Sequence, residues 1–540
     1  MNLGSFLKTK CKNLYMVAKE IHWADLAAEK LIQDKNKSSY VCASGITPSG
    51  VVHIGNFREA ITTDLVCKAL IKKGKKVRFL YSWDEYDVFR KIPADMPKKE
   101  ILEKYLRQPI VDVPDVYGCH KSYAEHNEKE FEESLKLIGL DPDFIYQAKK
   151  YRACEYAELI KNALQNKERI KIILDKYREE PLGSTWYPVM IFCSKCNTDT
   201  TNIVSYDNEY AVSYECECKH KETFDIRKKG IIKLLWRIDW PYRWHFEKVD
   251  FEPGGKDHST HGGSYTTGSE IIKEIFKEEA PEYIMYDFIS VKGSGGKISS
   301  SKGGVISLKE VLEVHTPEVV RWIFASTRPN TEFAISFDVD VISIYEEFDR
   351  AERVYFGKEE TKSSGDMLEK EKRMYELSSL VIPEKIPFQV GFRHITTILQ
   401  IHELDEERTI NHFKTDLETS QDKQNLKARV KCAKNWLLNY APQDFKFTVN
   451  KLSPNLSLSD NQKEAIKQII SVLEGKALTD EALHEEFYTI MKKENINMKE
   501  FFILCYQILI NKEKGPKLAS FIHTIGKAKS IALFKVAIKN

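Results

Sequence analysis

The sequence contains no apolar run that approaches the roughly 20 residues needed for a membrane-spanning helix. It also has almost no net charge, because 82 lysines and arginines are balanced by 80 aspartates and glutamates. Any nucleic-acid surface must therefore come from local clusters of basic residues. The 11 cysteines are odd in number and scattered apart from one cluster, a distribution typical of a reducing cytoplasm rather than of a disulfide framework.

The start of the chain does not resemble an export signal. The first 16 residues carry Lys8, Lys10 and Lys12 but lack a continuous apolar segment and a small-residue cleavage site. Met16 is an alternative start of translation. We expect a cytoplasmic protein that does not enter a membrane.

The chain is too long for one hydrophobic core. Its 540 residues predict about three or four domains, and they contain no internal repeat or low-complexity tract. Apolar residues make up 42% and charged residues 30%, a balance typical of folded rather than disordered proteins. A multidomain enzyme is the expected class.

A strand, a loop and a helix follow one another near the start. Residues 40–44 are β-prone, residues 45–50 are rich in turn-forming types, and residues 57–73 have the apolar spacing of a helix. A second strand at 76–81 completes a βαβ unit, whose crossover rule implies a parallel sheet. This unit is half of a nucleotide-binding fold.

The rest of the chain predicts an insertion, a resumed sheet and a helical region. Strand-like alternation returns at 231–236, followed by a helix near 264–277 and a strand at 283–291. Helical patterning dominates beyond 307, with a polar linker at 357–369. The predicted segments are an N-terminal extension at 1–40, the first catalytic half at 41–92, an insertion at 93–230, the second catalytic half at 231–305, a helical junction at 306–360 and a helical domain at 361–540.

The segment PSGVVHIGN, residues 48–56, lies where the first strand ends and the helix begins. The N–H groups and the dipole at a helix start attract phosphate. Gly50 and Gly55 would let a nucleotide approach the backbone, while His53 and Asn56 could donate hydrogen bonds to phosphate oxygens as charge develops. A structural turn with a surface histidine is the alternative for this motif taken alone.

A glycine-flanked loop, GSGGKISSSKGG at 293–304, follows the strand predicted to end at 291. It contains Lys297, Lys302 and several serine hydroxyls. The flanking glycines would allow the loop to close over pyrophosphate. A solvated, flexible loop is the alternative.

Together the two motifs resemble the HIGH and KMSKS signatures of class I aminoacyl-tRNA synthetases, in the same order and separated by an insertion. Between them, the segment GKDHSTH at 255–261 resembles the G-x-D-x-x-x-H element of that class. This resemblance implies that Gly255 and Asp257 contact the ribose of ATP.

The sequence departs from the signatures at two positions. Asn56 stands where many members have a second histidine, and Ser300 stands where the second lysine of KMSKS is expected, so that Lys302 is the candidate replacement. The resemblance implies ATP with Mg²⁺, bound by Pro48, Gly50, His53, Gly55, Asn56, Gly255, Asp257, Lys297, Ser299 and Ser300. The catalytic residues that it implies are His53, Asn56, Lys297 and Lys302.

Further segments narrow the resemblance to the class I lysyl-tRNA synthetases. They are ASGITPSG at 43–50, YSWDEYDVFRK at 81–91, WRIDWPYRW at 236–244 and the KISSSKG loop. The resemblance covers most of residues 22–345 and weakens in the C-terminal third. It implies a Rossmann-like α/β catalytic domain split by the insertion, a helical anticodon-binding region, tRNA(Lys) as partner, and a lysine site that includes Gly45, Thr47, Trp236, His258 and Tyr286.

A lysine substrate needs an apolar wall for its methylene groups and an anionic partner for its ammonium. Trp236 would supply the wall, although Trp236 and Trp240 could instead be core residues on a strand. The carboxylates available near the motifs are those of Asp239, Asp84 and Asp87, and Asp239 is preferred.

A cysteine cluster predicts a structural zinc ribbon within about 188–225. Cys193 and Cys196 form a C-x-x-C knuckle, and Cys216 and Cys218 return to it, with His220 as the substitute if one thiol points away. Surface thiols without a metal are the alternative. A site with four protein ligands has no open position, so no catalytic role is assigned to it.

The resemblance implies a reaction in two steps. The α-carboxylate of lysine attacks the α-phosphorus of ATP, and the 2′-hydroxyl of the terminal adenosine of tRNA then attacks the lysyl-adenylate. Binding of tRNA is expected to precede adenylate formation. The nearest alternatives are glutamyl- and cysteinyl-tRNA synthetases, followed by a HIGH-bearing nucleotidyltransferase and a non-catalytic tRNA-binding protein.

Overall fold

The structure is a computed structural model that describes residues 22–94, 96–292, 305–452, 454–475 and 477–539. Its strands are β1 Ser39–Ile46, β2 Lys76–Trp83, β3 Asp143–Tyr146, β4 Val189–Ile191, β5 Thr201–Tyr206, β6 Ala211–Cys216, β7 Lys221–Asp225, β8 Ile232–Leu234, β9 Gly254–Gly255, β10 Met285–Tyr286, β11 Ile289–Val291 and β12 Phe333–Ile335.

The α-helices are α1 Trp23–Lys35, α2 Ile54–Lys72, α3 Lys99–Leu102, α4 Tyr123–Leu137, α5 Gln147–Arg152, α6 Ala157–Gln165, α7 Lys167–Asp175, α8 Trp236–Glu247, α9 Ser264–Phe276, α10 Leu308–Val314, α11 Pro317–Ala325, α12 Asp340–Tyr355, α13 Asp366–Ser378, α14 Phe392–Ile401, α15 Glu406–His412, α16 Ser420–Asn439, α17 Asp460–Glu474, α18 Asp480–Lys493, α19 Met498–Ile510, α20 Leu518–Ile525 and α21 Lys527–Ala537. Short 3-10 helices cover Glu103–Tyr105, Ile110–Asp112 and Lys256–His258. None of the helices in the described ranges is long and apolar enough to cross a membrane.

The central sheet is parallel. β1 pairs with β2 along its whole length, with Ile46 opposite Trp83, and β2 pairs in turn with β3. On the other side of β1, parallel bridges join Cys42 to Phe251 and Phe251 to Glu282, and β9 pairs with β10. The order is therefore β3, β2, β1, β9, β10, and the topological switch point lies beside β1. The predicted Rossmann-like fold is confirmed.

Helix α2 begins at Ile54, earlier than predicted, and His53 is its N-cap. The Nδ1 of His53 accepts a hydrogen bond from the N–H of Asn56, whose Oδ1 accepts one from the N–H of His53. This reciprocal pair is a capping box, which fixes the helix start directly after the loop that follows β1. Phe57 and Ile61 of α2 are fully buried, and the Phe57 ring packs edge to face against Phe324 of α11.

The prediction that 231–236 resumes the central sheet is wrong. β8 pairs antiparallel with β4 in a separate sheet, and Trp236 is the first residue of α8. Periodicity cannot choose the partner of so short an apolar run. In addition, Pro241 inside α8 weakens the helical signal of this segment. The strand predicted at 283–291 is divided, because β10 joins β9 whereas β11 pairs with β12.

The chain forms two compact units. The first comprises the residues up to Ser336 and Arg350–Glu384, and the second comprises Phe337–Asp349 and Lys385–Asn540. In the first unit, the segment predicted as an insertion, 93–230, contains α6, α7 and the antiparallel sheet of β5, β6 and β7. It also contains β3, which pairs with β2 in the central sheet. The boundaries proposed at 305 and 360 stay predictions.

Regular structure in the described part of the second unit is helical, as predicted for the C-terminal region. The long helices α17 and α19 lie within 361–540, the region predicted to be helical. Ser459 and Gln462 form a capping box at the start of α17. The buried core of this unit includes Ile466, Phe487 and Phe501.

Candidate active site

A cavity of about 660 Å³ opens at the carboxyl ends of β1 and β2. Parallel α/β sheets bind ligands at this edge, near the switch point. The predicted site residues on the cavity wall are Gly45, Thr47, Gly50, Asn56, Trp236, His258 and Tyr286. The predicted residues that do not line it are Pro48, His53, Gly55, Asp239, Gly255 and Asp257.

His53 connects the first motif to the residues that follow the predicted phosphate loop. It forms a β-bridge with Ser307, and the N–H of the adjacent Ile54 donates to the carbonyl of Ile306 over 2.8 Å. A β-carbon at Gly55 would lie 2.9 Å from the His53 ring, so a larger residue is disfavoured there. The C-terminal flank of the loop is thus held beside the start of α2.

Arg58 holds the N-terminal flank of the same loop. Its guanidinium is buried and donates, over 2.7–3.1 Å, to the backbone carbonyls of Asp287, Phe288, Arg328 and Thr331. Asp287 and Phe288 directly precede β11, after which the loop begins. The loop residues Lys297, Ser299, Ser300 and Lys302 lie outside the described residues.

The predicted ribose-binding residues lie at the same edge of the sheet. Gly255 ends β9, opposite Tyr286 of β10. Asp257 lies in the following 3-10 helix and is exposed, whereas His258 at the end of that helix reaches the cavity wall. Because Asp257 is exposed and only the next residue, His258, lines the cavity, Asp257 lies at the rim of the cavity rather than inside it.

Three aspartates and two basic residues form a charge network beside the cavity, in the spatial order Asp84, Arg243, Asp239, Lys233, Asp87. Arg243 lies 2.7 Å from Asp84 and 3.6 Å from Asp239. Lys233 lies 3.9 Å from Asp239 and forms a close ion pair with Asp87. Each carboxylate therefore has a cationic partner, which offsets the cost of its burial.

Asp239, the predicted partner of a lysine ammonium, is enclosed by this network. Its side chain is 1% exposed, and the Tyr151 hydroxyl donates to its Oδ1 over 2.5 Å. Burial raises the pKa of Asp239, in opposition to the nearby Arg243 and Lys233. Burial also raises the pKa of Asp87, but the nearby charge of Lys233 has the larger, opposite effect. The pKa of Asp87 is therefore lowered. Asp239 supports the wall of the cavity instead of forming its surface.

Glu59 of α2 lines the cavity and was not identified from the sequence. Its carboxylate accepts hydrogen bonds from the N–H of Gly45 over 2.8 Å and from the Tyr286 hydroxyl over 2.6 Å. None of the described basic side chains forms an ion pair with it, and burial raises its pKa to about 8. Helical spacing offered a signal, because Asn56 and Glu59 are at i and i+3 and so share a face.

Trp236 contributes an aromatic side chain to the cavity wall. Trp236 stacks on Trp240, with ring centroids 5.4 Å apart and planes at 15°. Trp240 is buried, whereas Trp236 is partly exposed and lines the cavity next to His258. A core position and a position in the lysine site were both considered for these tryptophans. Trp240 belongs to the core, whereas Trp236 lines the cavity.

The four cysteines of the predicted ribbon converge. Their Sγ atoms all lie within 4.8 Å of one another, with 3.7 Å between Cys193 and Cys218 and 3.6 Å between Cys196 and Cys216. A tetrahedral zinc site with bonds of about 2.3 Å separates its sulphurs by about 3.8 Å. His220 instead contacts Ser194, over 3.1 Å. The geometry fits zinc bound by the four thiolates.

Comparison with known proteins agrees with this architecture. Residues 21–380 match the family described as tRNA synthetases class I (K), and residues 407–538 match the anticodon binding domain. A lysine–tRNA ligase of Borreliella burgdorferi is 52% identical over 94% of this chain and 98% of that protein. Identity is 45% to the lysine–tRNA ligase of Treponema pallidum, over 94% of this chain and 97% of that protein. The lysine–tRNA ligase of Pyrococcus horikoshii is 41% identical over 94% of this chain and 98% of that protein.

The family match, together with the parallel sheet and the cavity at its switch point, identifies a class I aminoacyl-tRNA synthetase. Within that class, the chain belongs to the class I tRNA synthetases of the lysine (K) family. The resemblance inferred from the motifs is confirmed.

The charge network predicts that removal of a buried aspartate lowers the free energy of unfolding more than removal of an exposed aspartate does. Asp84→Ala leaves Arg243 buried without its nearest carboxylate, which should lower the free energy of unfolding of the first unit by about 3 to 5 kcal/mol. Asp143→Ala removes the exposed partner of Arg78, in a pair whose side chains are 46% and 54% exposed. That control should cost no more than about 1 kcal/mol. Urea denaturation followed by tryptophan fluorescence measures both, and equal losses would contradict the assigned role of the network.

Proposed function

We propose that the protein is a lysine–tRNA ligase, which activates lysine with ATP and transfers it to tRNA(Lys). The observation that carries the proposal is the cavity, in which Glu59 is a carboxylate without a cationic partner among the described residues. The similarity to lysine–tRNA ligases over 94% of the chain supports the same substrate.

Glu59 is the partner that we assign to the lysine ammonium. Asp84 and Asp87 also line the cavity, but Arg243 and Lys233 already neutralise them. The Tyr286 hydroxyl and the Gly45 N–H orient the Glu59 carboxylate. A partly buried carboxylate that holds hydrogen bonds but lacks a cation favours a ligand that brings one.

The remaining cavity residues suit the rest of the lysine molecule. The face of Trp236 provides an apolar wall for the methylene groups, which alone contribute roughly 0.8 kcal/mol each when buried. Thr47 donates its hydroxyl to Asp87 over 2.8 Å and so borders the cavity in a fixed orientation. His258 completes this side of the proposed lysine site, together with Gly45.

ATP binds, in this proposal, across the loop after β1 and the sheet edge at Gly255. Gly50 and the start of α2 face the phosphates, where backbone N–H groups favour negative charge. Since the Oδ1 of Asn56 is occupied by the His53 N–H, a phosphate oxygen would meet its amide nitrogen. Asp257 and Gly255 remain assigned to the ribose.

The reaction requires positioning and charge stabilisation rather than a covalent enzyme intermediate. A carboxylate oxygen of lysine attacks the α-phosphorus of ATP, the bond to the bridging oxygen breaks, and pyrophosphate leaves with Mg²⁺. His53, Asn56, Lys297 and Lys302 are assigned to the charge that develops on the phosphate oxygens. The 2′-hydroxyl of the terminal adenosine then attacks the carbonyl carbon, and AMP leaves.

The second unit is assigned to the anticodon of tRNA(Lys), because residues 407–538 match an anticodon binding domain. The first unit would then receive the acceptor end. An enzyme that consumes ATP and tRNA works where both are abundant, so we assign the protein to the cytoplasm. The cysteine cluster formed by Cys193, Cys196, Cys216 and Cys218 is proposed to hold a structural zinc ion without a catalytic role.

Substrate discrimination tests the proposed function. Lysine should be attached to tRNA, whereas glutamate would bring a second carboxylate to Glu59 and cysteine would leave Glu59 unpaired. Either defect should lower kcat/KM by roughly 10³-fold or more. Aminoacylation of total tRNA with each amino acid measures the ratio. Efficient attachment of glutamate or cysteine but not lysine would refute the substrate while leaving the class intact.

The pKa of Glu59 predicts a pH dependence of lysine binding. A bound ammonium favours the ionised carboxylate, so that binding below pH 8 must release the proton held by Glu59. The Kd for lysine should therefore fall by about tenfold for each pH unit as the pH rises towards 8, and then level off.

Glu59→Gln should weaken lysine binding at pH 8 by about tenfold to hundredfold and flatten the pH profile. Isothermal titration calorimetry between pH 6.5 and 8.5 measures both effects. The matched control is Glu168→Gln, whose side chain is 75% exposed, and it should behave as the unmodified protein does. An unchanged pH profile in Glu59→Gln would assign the ammonium to another group.

The loop assignment predicts that Lys297→Ala lowers the rate of adenylate formation by roughly 10² to 10³, because one preorganised donor to developing phosphate charge is lost. Lysine affinity should stay the same. Lys309→Ala, at a lysine side chain 63% exposed on α10, is the matched control. Single-turnover measurements with ATP separate chemistry from binding, and an unchanged rate in Lys297→Ala would remove Lys297 from the mechanism.

A further inference from the structure

Helix α16 in the second unit carries a row of basic side chains that the proposed active site does not use. Lys423, Lys427 and Lys431 follow one another at intervals of four residues, and all three are exposed. These three residues are called the lysine row. We propose that the lysine row binds backbone phosphates in the anticodon arm of tRNA without reading a base. This inference rests on the proposed function, from which it takes tRNA as the partner.

The lysine row lies on one face of the helix. Residues four apart in an α-helix are separated by about 6 Å along the axis and by about 40° around it. The row is therefore about 12 Å long. Arg429 and Trp436 of the same helix are buried, and the helical spacing places them on the opposite face.

The exposed face of α16 contains no carboxylate. Asp422 is the single acidic residue of this helix, and it is buried. Its carboxylate accepts hydrogen bonds from the N–H groups of Phe388 and Thr419, over 2.8 and 2.9 Å. None of the acidic side chains in the described part of the chain forms an ion pair with the lysine row.

Several other lysines of the second unit do have carboxylate partners. The pairs are Lys434 with Glu406 over 2.9 Å, Lys467 with Glu464 over 3.0 Å and Lys535 with Glu474 over 2.7 Å. The lysine row is thus a local excess of positive charge in a chain whose net charge is only +2. A local cluster of this kind is what a nearly neutral protein needs in order to attract nucleic acid.

The lysine row lowers the stability of the helix that carries it. Like charges four residues apart on a helix repel one another. In addition, Lys423 lies in the first turn of α16, where the helix dipole disfavours a positive charge. A polyanion that lies along the row would offset both effects.

The form of the lysine row suits a nucleic-acid backbone. A strand carries one phosphate charge per about 3.4 Å of duplex axis, so that a row about 12 Å long can follow roughly three or four phosphates. Lysine contacts phosphate as a point charge and does not discriminate between bases. Interfaces between proteins are instead depleted in lysine. Helix α16 also lies within residues 407–538, which match an anticodon binding domain.

The first test is the full-length double variant Lys427→Gln, Lys431→Gln. The control is Lys467→Gln, Lys535→Gln, which removes the same charge from ion-paired positions of the second unit. At about 0.1 M salt the row variant should bind tRNA(Lys) roughly tenfold to fiftyfold more weakly, and the slope of its binding constant against salt, on logarithmic axes, should fall by about 1.5 to 2. The control should keep the slope of the unmodified protein.

Filter binding at a series of salt concentrations measures both quantities. An unchanged affinity and slope in the row variant would overturn this inference alone. Failure of the unmodified protein to bind tRNA would overturn the proposed function together with it.

The second test separates tRNA binding from a structural role of the row. The row variant should unfold at the same temperature as the unmodified protein or at a higher one, because it loses a repulsion between like charges. Its KM for tRNA should rise, while kcat and the Kd for lysine should stay the same. A lower unfolding temperature with an unchanged KM for tRNA would assign the row to the stability of the helix and overturn the inference.

Phosphate ethylation interference locates the contact on the tRNA. About two or three phosphates at which ethylation blocks binding of the unmodified protein should lose this effect in the row variant. These phosphates should lie in the anticodon arm. An identical pattern for both proteins, or a change confined to the acceptor arm, would overturn the inference.

Discussion

The wall of the cavity depends on the alternation of charge from Asp84 through Arg243, Asp239 and Lys233 to Asp87. These residues come from the segment that follows β2 and from the consecutive elements β8 and α8, which lie much later in the chain. Burial makes each charge costly unless an opposite charge lies beside it, so the three elements are held in one arrangement. Removal of one of these residues would leave the charge of its neighbour without an opposite charge beside it. The network therefore constrains the arrangement of the cavity wall.

Glu59 is not part of that network, and its proposed role as the partner of the lysine ammonium follows from this. The aspartates of the network are neutralised by arginine and lysine, whereas Glu59 receives only neutral donors, from Gly45 and Tyr286. Among the carboxylates that line the cavity, Glu59 is the one without a cationic partner in the described part of the chain. Lysine has an ammonium group that would pair with Glu59 and an aliphatic stem that would pack on Trp236.

The nucleotide side of the site is organised around α2. Its N-terminus meets the residues after the predicted phosphate loop through Ile54 and His53, and Arg58 binds the carbonyls that precede that loop. Both flanks of the loop are therefore attached to the helix whose N-terminus is assigned to phosphate. In the proposed mechanism, this arrangement brings two motifs separated by more than half of the first unit's sequence to the same ATP molecule.

Local chemistry alone determined much of this protein. The βαβ unit, the order of the two phosphate motifs and the cysteine spacing follow from short-range patterns, because strand, turn and helix preferences act over neighbouring residues. Tertiary structure decided which carboxylate faces the cavity, because the groups that surround Asp239 and Glu59, such as Tyr151 and Tyr286, are distant from them in the sequence. It also decided that β8 pairs with β4, since a strand's partner depends on how the chain folds back on itself.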